Sequence, residues 1–241
     1  MTKFYIGITA DTICPWCYFT KIRLDRAIEI YKRVMPWAAD DEFVITWHPF
    51  SLDPTLPKDG VDPTMHLEKR FGHERVTFAT ALLGVVGQGE GINFTLAGKI
   101  GPTRDAHRLI QLAKSKSNDM ENRLVTELFK AYFEDGRDIT SRGLLVSAAE
   151  RAGLYGYEAD SWLKTDKGGD IVDREFRQAA LKGISNVPDI NIDNRYKFSG
   201  IQDTRTFLEV FLRVKKASEW ESIPHLGGAS WMGKEVIPTS T

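Results

Sequence analysis

The sequence predicts an α/β fold in which one sheet-bearing unit is interrupted by an all-helical insertion. Three observations predict it. Residues 4–10 are an apolar, β-branched and aromatic run that passes straight into a helical pattern, and residues 43–47 repeat the strand character. The middle of the chain, 64–165, carries helical periodicity almost throughout. Near the end come a helix, two short strand segments about Asp193-Asn194, and a last helix. Strand, helix, strand at the start implies parallel pairing. The split order therefore assigns 1–61 and 166–221 to one unit, 62–165 to a helical insertion and 222–241 to a C-terminal tail.

Each element has its own signal. Phe4 to Ala10 is the first strand. Phe19, Ile22, Leu24, Ala27, Ile28 and Tyr31 then mark one apolar helix face, which Pro36 follows. Phe43 to Trp47 is the second strand, and His48 to Pro63, rich in Pro, Asp and Gly, reads as loop. Helices are expected over 65–71, 75–86, 103–116, 122–133, 141–152 and 158–164, with Thr140 or Ser141 capping the fifth. Gly87 to Gly91 has alternating glycines but no strand before it, so it reads as a turn and not a phosphate loop. A helix over 171–182 and a hairpin about Asp193-Asn194 follow, then a helix over 204–217 carrying Phe207, Val210, Phe211 and Val214 on one face.

Composition excludes several classes. The chain has 241 residues, 42% hydrophobic and 27% charged, enough for a substantial core. The net charge is −1 with Lys and Arg dispersed, which disfavours nucleic acid and anionic membranes as partners. No apolar stretch is long enough to span a bilayer. The N-terminus runs directly into the first strand, so no cleavable leader is expected.

The two cysteines, Cys14 and Cys17, are the only ones in the chain. They stand as Cys14-Pro15-Trp16-Cys17 at the strand-to-helix junction, with Pro15 in the first turn, where its missing N–H is not needed. The helix N-terminus turns unpaired N–H groups and a positive dipole end toward the first sulfur. Such sites lower a cysteine pKa from about 8.5 to roughly 3.5–7.5. Cys14 is therefore the candidate nucleophile and Cys17 the resolving thiol. A structural zinc site needs four ligands, and no second cysteine pair exists, so no metal is expected. With so few cysteines, none structural, the expected compartment is the reducing cytoplasm.

These residues carry a resemblance. Asp11-x-x-Cys14-Pro15-Trp16-Cys17-Tyr18 comes first, then Trp47-His48-Pro49-Phe50-x-Leu52-x-Pro54 and Asp105-Ala106-His107-Arg108-Leu109. Leu128-Phe129-x-Ala131-Tyr132-Phe133-x-x-Gly136-x-Asp138-Ile139 follows, and Gly183-x-x-x-Val187-Pro188 with Ser199-Gly200-Ile201-Gln202 closes the series. Together and in order they resemble the DsbA-like branch of the thioredoxin superfamily, in particular FrnE-like dithiol oxidoreductases. The 2-hydroxychromene-2-carboxylate isomerases and kappa-class glutathione transferases look similar but typically carry Ser where Cys14 stands. The chain departs from the family pattern at Asp189-Ile190 after the proline and at Pro102-Thr103 in the insertion.

The resemblance implies a thioredoxin fold with an inserted helical lobe. It also implies a cis Val187-Pro188 bond facing the cysteines, where Val187, Pro188 and Trp16 meet substrate. Asp11 then either takes a proton from Cys17 or orders its loop. The activity implied is disulfide exchange with protein or low-molecular-weight disulfides and thiols. It needs no tightly bound cofactor, and glutathione is the expected small-thiol co-substrate. The alternatives are a glutathione-dependent isomerase or transferase acting on a small aromatic, and a thioredoxin-like binding module with incidental thiols. The oligomeric state stays open, a homodimer included. His107 reads as a packing histidine, Tyr18 as packed on the first helix, Lys21 and Arg23 as solvated, and Asp189 as pointing away from the thiols.

Overall fold

The computed structural model describes residues 1–35 and 38–221, so Pro36 and the tail from 222 onward lie outside the described residues. Strand β1 (Lys3–Ala10) buries Phe4, Ile6 and Ile8 and turns Lys3 and Tyr5 outward, the two-residue period of a strand with one covered face. Helix α1 (Pro15–Val34) follows the turn at 11–14. Strand β2 (Glu42–Pro49) then returns parallel to β1, paired from Lys3↔Glu42 to Ala10↔Pro49. Strand β3 (Asp189–Ile192) lies antiparallel on the other side of β1, and β4 (Tyr196–Ser199) pairs with β3, giving the order β2-β1-β3-β4. Asp193 and Asn194 turn the hairpin at φ 52° and 56°, the left-handed geometry that Asp and Asn accept and two-residue hairpins need.

Between β2 and β3 the chain is helical: α2 (Pro63–Phe71), α3 (His73–Glu90), α4 (Arg104–Lys116), α5 (Asn118–Phe133), α6 (Arg142–Ala152), α7 (Gly156–Leu163) and α8 (Gly169–Leu181). Helix α9 (Thr204–Glu221) ends the described residues. Ser141 caps α6 by accepting the Leu144 N–H. The chain is thus an α/β protein with the thioredoxin fold and helices inserted between its strands.

Several helix ends shift from the sequence reading, among them the end of α9 at Glu221, and two of the shifts have a tertiary cause. Gly87 to Glu90 is the last turn of α3, and Gly91 ends it in the left-handed conformation. The reason is tertiary: Arg23 and Arg26 of α1 both bind the Glu90 carboxylate, at 2.6 and 2.8 Å. Gly87 is required there, because a Cβ would sit 2.8 Å from the Cβ of Phe94. Helix α5 begins at Asn118, four residues before Asn122, and Ser117 caps it by accepting the Met120 N–H. The extra turn covers the free edge of β2. Asn118 accepts the Ile45 N–H, Glu121 accepts the Trp47 N–H, and Asn118 and Asn122 donate to the Ile45 carbonyl. An edge strand with its polar groups paired cannot recruit another chain.

The core is continuous from sheet to insertion. On the sheet, Phe4 stacks on Phe43 at 4.5 Å and meets Tyr31 and Phe211 edge-on. Tyr18 of α1 stacks on Phe129 of α5 at 5.2 Å, and Trp47 of β2 meets the same ring at 6.2 Å. Each such pair adds about 0.5–1.5 kcal/mol beyond burial. The inserted helices are therefore seated directly against the helix that carries the cysteines.

Candidate active site

Cys14 is the residue before α1, extended at φ −92° and ψ 112°, with Pro15 beginning the helix. Its N–H donates to the Asp11 carbonyl, and its own carbonyl accepts the N–H groups of Cys17 and Tyr18. This turn holds both sulfurs on one end of α1, and no acidic residue lies in the first turn to oppose a thiolate. The Cys14 thiol donates to the Val187 carbonyl at 3.5 Å, across 173 residues of chain. The Val187-Pro188 bond is cis. The cysteines are both free thiols and both buried.

The two thiols stand in different surroundings. Burial pushes the Cys17 thiol well above its ordinary pKa, and the hydrogen bond and charge of Cys14 push it the same way. The backbone of Asp11 acts against this by hydrogen bonding to Cys17. Trp16, half-buried between the cysteines, leans edge-on against Phe19 at 5.8 Å, and Phe19 in turn meets Phe94 of the insertion.

Asp11 is 1% exposed and orders two loops. Its carboxylate accepts the N–H groups of Leu52 at 2.7 Å and Ile13 at 3.4 Å. His107 of α4 reaches in beside it: Nε2 lies 3.1 Å from the Phe50 carbonyl and 3.8 Å from Asp11 Oδ1. His107 is thus buried with a ring nitrogen satisfied by a carbonyl, in keeping with its reading as a packing histidine, although its partners could not be named from the sequence. Only its nearness to Arg108 on an amphipathic helix was visible, and its partners lie 57 residues and more away.

Tyr18, Lys21 and Arg23 are placed differently from their sequence reading. Tyr18 packs on α5 as well as on its own helix, and its hydroxyl donates to Glu134. Lys21 is buried and bound to Asp25, and Arg23 is bound to Glu90 and Asp203. Neither is a free solvated charge. Asp189 pairs with Thr9 across the sheet, on the face opposite Ile8 and Ile190. Burial raises its pKa against the pull of Lys197 and Lys182. Asp11, Cys14, Pro15, Trp16, Cys17, Val187 and Pro188 are thus gathered at one end of the sheet.

The signature of the DSBA-like thioredoxin domain matches residues 6–211, nearly the whole described chain. This chain belongs to that family. Among solved DsbA-like structures it is similar to a probable DsbA oxidoreductase from Streptomyces coelicolor, with 27% identity, a TM-score of 0.76 and 94% of each chain covered. The cytosolic disulfide reductase DsbM of Pseudomonas aeruginosa, solved with GSH, shares the fold at 15% identity and a TM-score of 0.53, covering 90% of this chain and 98% of that one. A 2-hydroxychromene-2-carboxylate isomerase shares it at 11% identity and a TM-score of 0.64, with the same coverage. By sequence the DsbA-like chain is also 26% identical, over 73% of its length and 79% of the relative's, to the uncharacterized protein YwbO of Bacillus subtilis. Among the described residues no helix is long and apolar enough to cross a membrane.

Proposed function

We propose that this DsbA-like protein is a thiol–disulfide oxidoreductase that exchanges disulfides with proteins or small thiols through Cys14-Pro15-Trp16-Cys17. The observation that carries the reading is the unequal pair: Cys14 at the start of α1, against the Val187 carbonyl, with Cys17 behind it in a site that holds its proton. Cys14 attacks the substrate disulfide, and the mixed disulfide is resolved by Cys17. The Val187-Pro188 loop and Trp16 position the substrate. A bound peptide or thiol would lie along the Val187 backbone in place of the Cys14 hydrogen bond. Asp11 and Pro15 support the geometry, and glutathione is the proposed small-thiol co-substrate, with no tightly bound cofactor.

The proposed compartment is the cytoplasm, where a lone Cys-x-x-Cys pair is more often catalytic than structural. The alternative, a glutathione-dependent isomerase or transferase acting on a small aromatic compound, has no use for the resolving thiol Cys17. Reduction of insulin disulfides by the wild type and by Cys14→Ser tests the proposal. Turnover by the wild type and none by the variant is expected; undiminished turnover by Cys14→Ser would refute it.

A further inference from the structure

Helix α3 is apolar on two opposite faces. Val76, Leu83 and Gly87 are its buried residues, and that side packs toward α1. Phe78, Leu82 and Val85 stand on the opposite side, 72%, 41% and 67% exposed, with exposed Ala81 among them. Their spacing of four and then three residues makes one continuous stripe. A helix that is apolar all round belongs in a buried place, and among the described residues nothing covers this stripe. We propose that a second copy of the chain covers it, the two α3 helices packing antiparallel about a twofold axis at Ala81 and Leu82.

Three features of α3 fit a copy of itself. The first is register. An axis between positions 81 and 82 sets Phe78 level with the partner's Val85, so each large ring meets a smaller branched side chain. The second is Gly89. Glycine in a helix is destabilising relative to alanine, and the left-handed cap of α3 is Gly91. A Cβ at Gly89 would meet nothing within 4 Å, whereas one at Gly87 would meet Phe94. Nothing inside the chain therefore requires glycine at 89. A long helical side chain leans toward its own N-terminus, so the Phe78 ring lies over the turn that holds the partner's Gly89. The absent side chain is the space the ring enters.

The third feature is charge. No basic residue lies in the last turn of α3, and Arg75 in its first turn has no carboxylate partner among the described residues. Antiparallel packing carries each Arg75 to the C-terminal end of the partner's α3, where the helix dipole favours a cation. Glu74, beside it, answers the dipole of its own helix. The 18 residues of α3 give a contact about 27 Å long. One helix against one helix falls at the low end of specific interfaces, about 1,200 Å² in total or less, which sets the expected affinity in the micromolar range. The stripe is turned away from α1, so the helix that carries Cys14 and Cys17 takes no part in the contact.

The test is sedimentation velocity of the reduced full-length protein from low to high micromolar concentration. The wild type should pass from monomer to dimer as concentration rises. Leu82→Glu, which sets like charges across the twofold axis, should remain a monomer throughout. Gly89→Leu, which fills the space of the Phe78 ring, should also remain a monomer, with a melting temperature no lower than that of the monomeric Leu82→Glu. Arg75→Ala should raise the dissociation constant by about three- to thirtyfold, two dipole contacts being lost. In a Cys14→Ser, Cys17→Ser background, Leu82→Cys should form a disulfide between two copies under mild oxidation far faster than Tyr155→Cys, which is exposed on another face. A dimer that persists unchanged in Leu82→Glu and Gly89→Leu, or equal crosslinking at positions 82 and 155, would overturn the proposal. So would a wild type that stays monomeric at every concentration, whether or not another protein binds the stripe, and that result decides the matter even if a variant fails to fold.

Discussion

The Cys14 sulfur lies 3.5 Å from the carbonyl oxygen of Val187, so the nucleophile is held by the loop proposed to bind its substrate. Cys17 sits behind it, buried, its pKa raised by that burial and by Cys14. Alkylation should follow this order. With iodoacetamide near neutral pH, Cys14 is expected to react well before Cys17, as peptide mass spectrometry would reveal. Equal rates, or Cys17 first, would reverse the roles given to the two thiols.

The Tyr18 hydroxyl, donated to Glu134, ties the cysteine-bearing helix to the insertion. Burial and the Glu134 carboxylate both raise the Tyr18 pKa, so the phenol stays protonated and keeps donating. Tyr18→Phe should lose about 1.5–3 kcal/mol of unfolding free energy, the range for a hydrogen bond to a charged group. Urea titration measures it, and a variant as stable as the wild type would show that the bond contributes nothing.

Arg108 is a buried clasp. Its guanidinium donates to the carbonyls of Trp162, Thr165 and Lys167 and binds Asp105, while the Trp162 indole N–H returns a bond to the Arg108 carbonyl. These acceptors close the end of α7 onto α4. Lysine cannot meet them all from one ammonium. Arg108→Lys should therefore destabilise the fold by about 1–3 kcal/mol, the penalty for buried acceptors left unpaired. A melting temperature equal to that of the wild type would contradict this.

Asp53 anchors α2 to the loop after β2. Burial pushes its pKa up, but the hydrogen bonds from Thr55 and His66 and the charge of Arg70 prevail, and it falls from 3.8 to about 2. A carboxyl lowered on folding stabilises the fold above its unfolded pKa and loses that contribution as pH falls through the folded value. The wild type should accordingly lose about 1–2 kcal/mol between pH 4 and pH 2 through this group. Asp53→Asn should be less stable at pH 7 and show a flatter acid limb. Identical acid limbs in the two proteins would exclude the role.

The parts legible in the sequence were those with local causes. Phe4 to Ala10, the Cys14-Pro15-Trp16-Cys17 junction and the Asp193-Asn194 turn each carry their signal within a few residues. The end of α3 was not legible, because glycines read locally as a turn, whereas Glu90 is held by Arg23 and Arg26 from 67 and 64 residues away. The start of α5 was hidden for a similar reason. Asn118 looks like a turn residue until β2 offers it the backbone groups of Ile45. His107 packs as read, but nothing near it in the chain announces the Phe50 carbonyl or Asp11. The thiols were visible from spacing alone, while the groups around Asp11 required the fold.

The most direct measurement of the central claim is the intact mass of two reduced proteins after incubation with glutathione disulfide. The account predicts that Cys17→Ser keeps one glutathione on Cys14, while the wild type sheds it and closes the Cys14–Cys17 disulfide. A wild type that retains glutathione as the variant does, or a variant that never acquires it, would contradict the account.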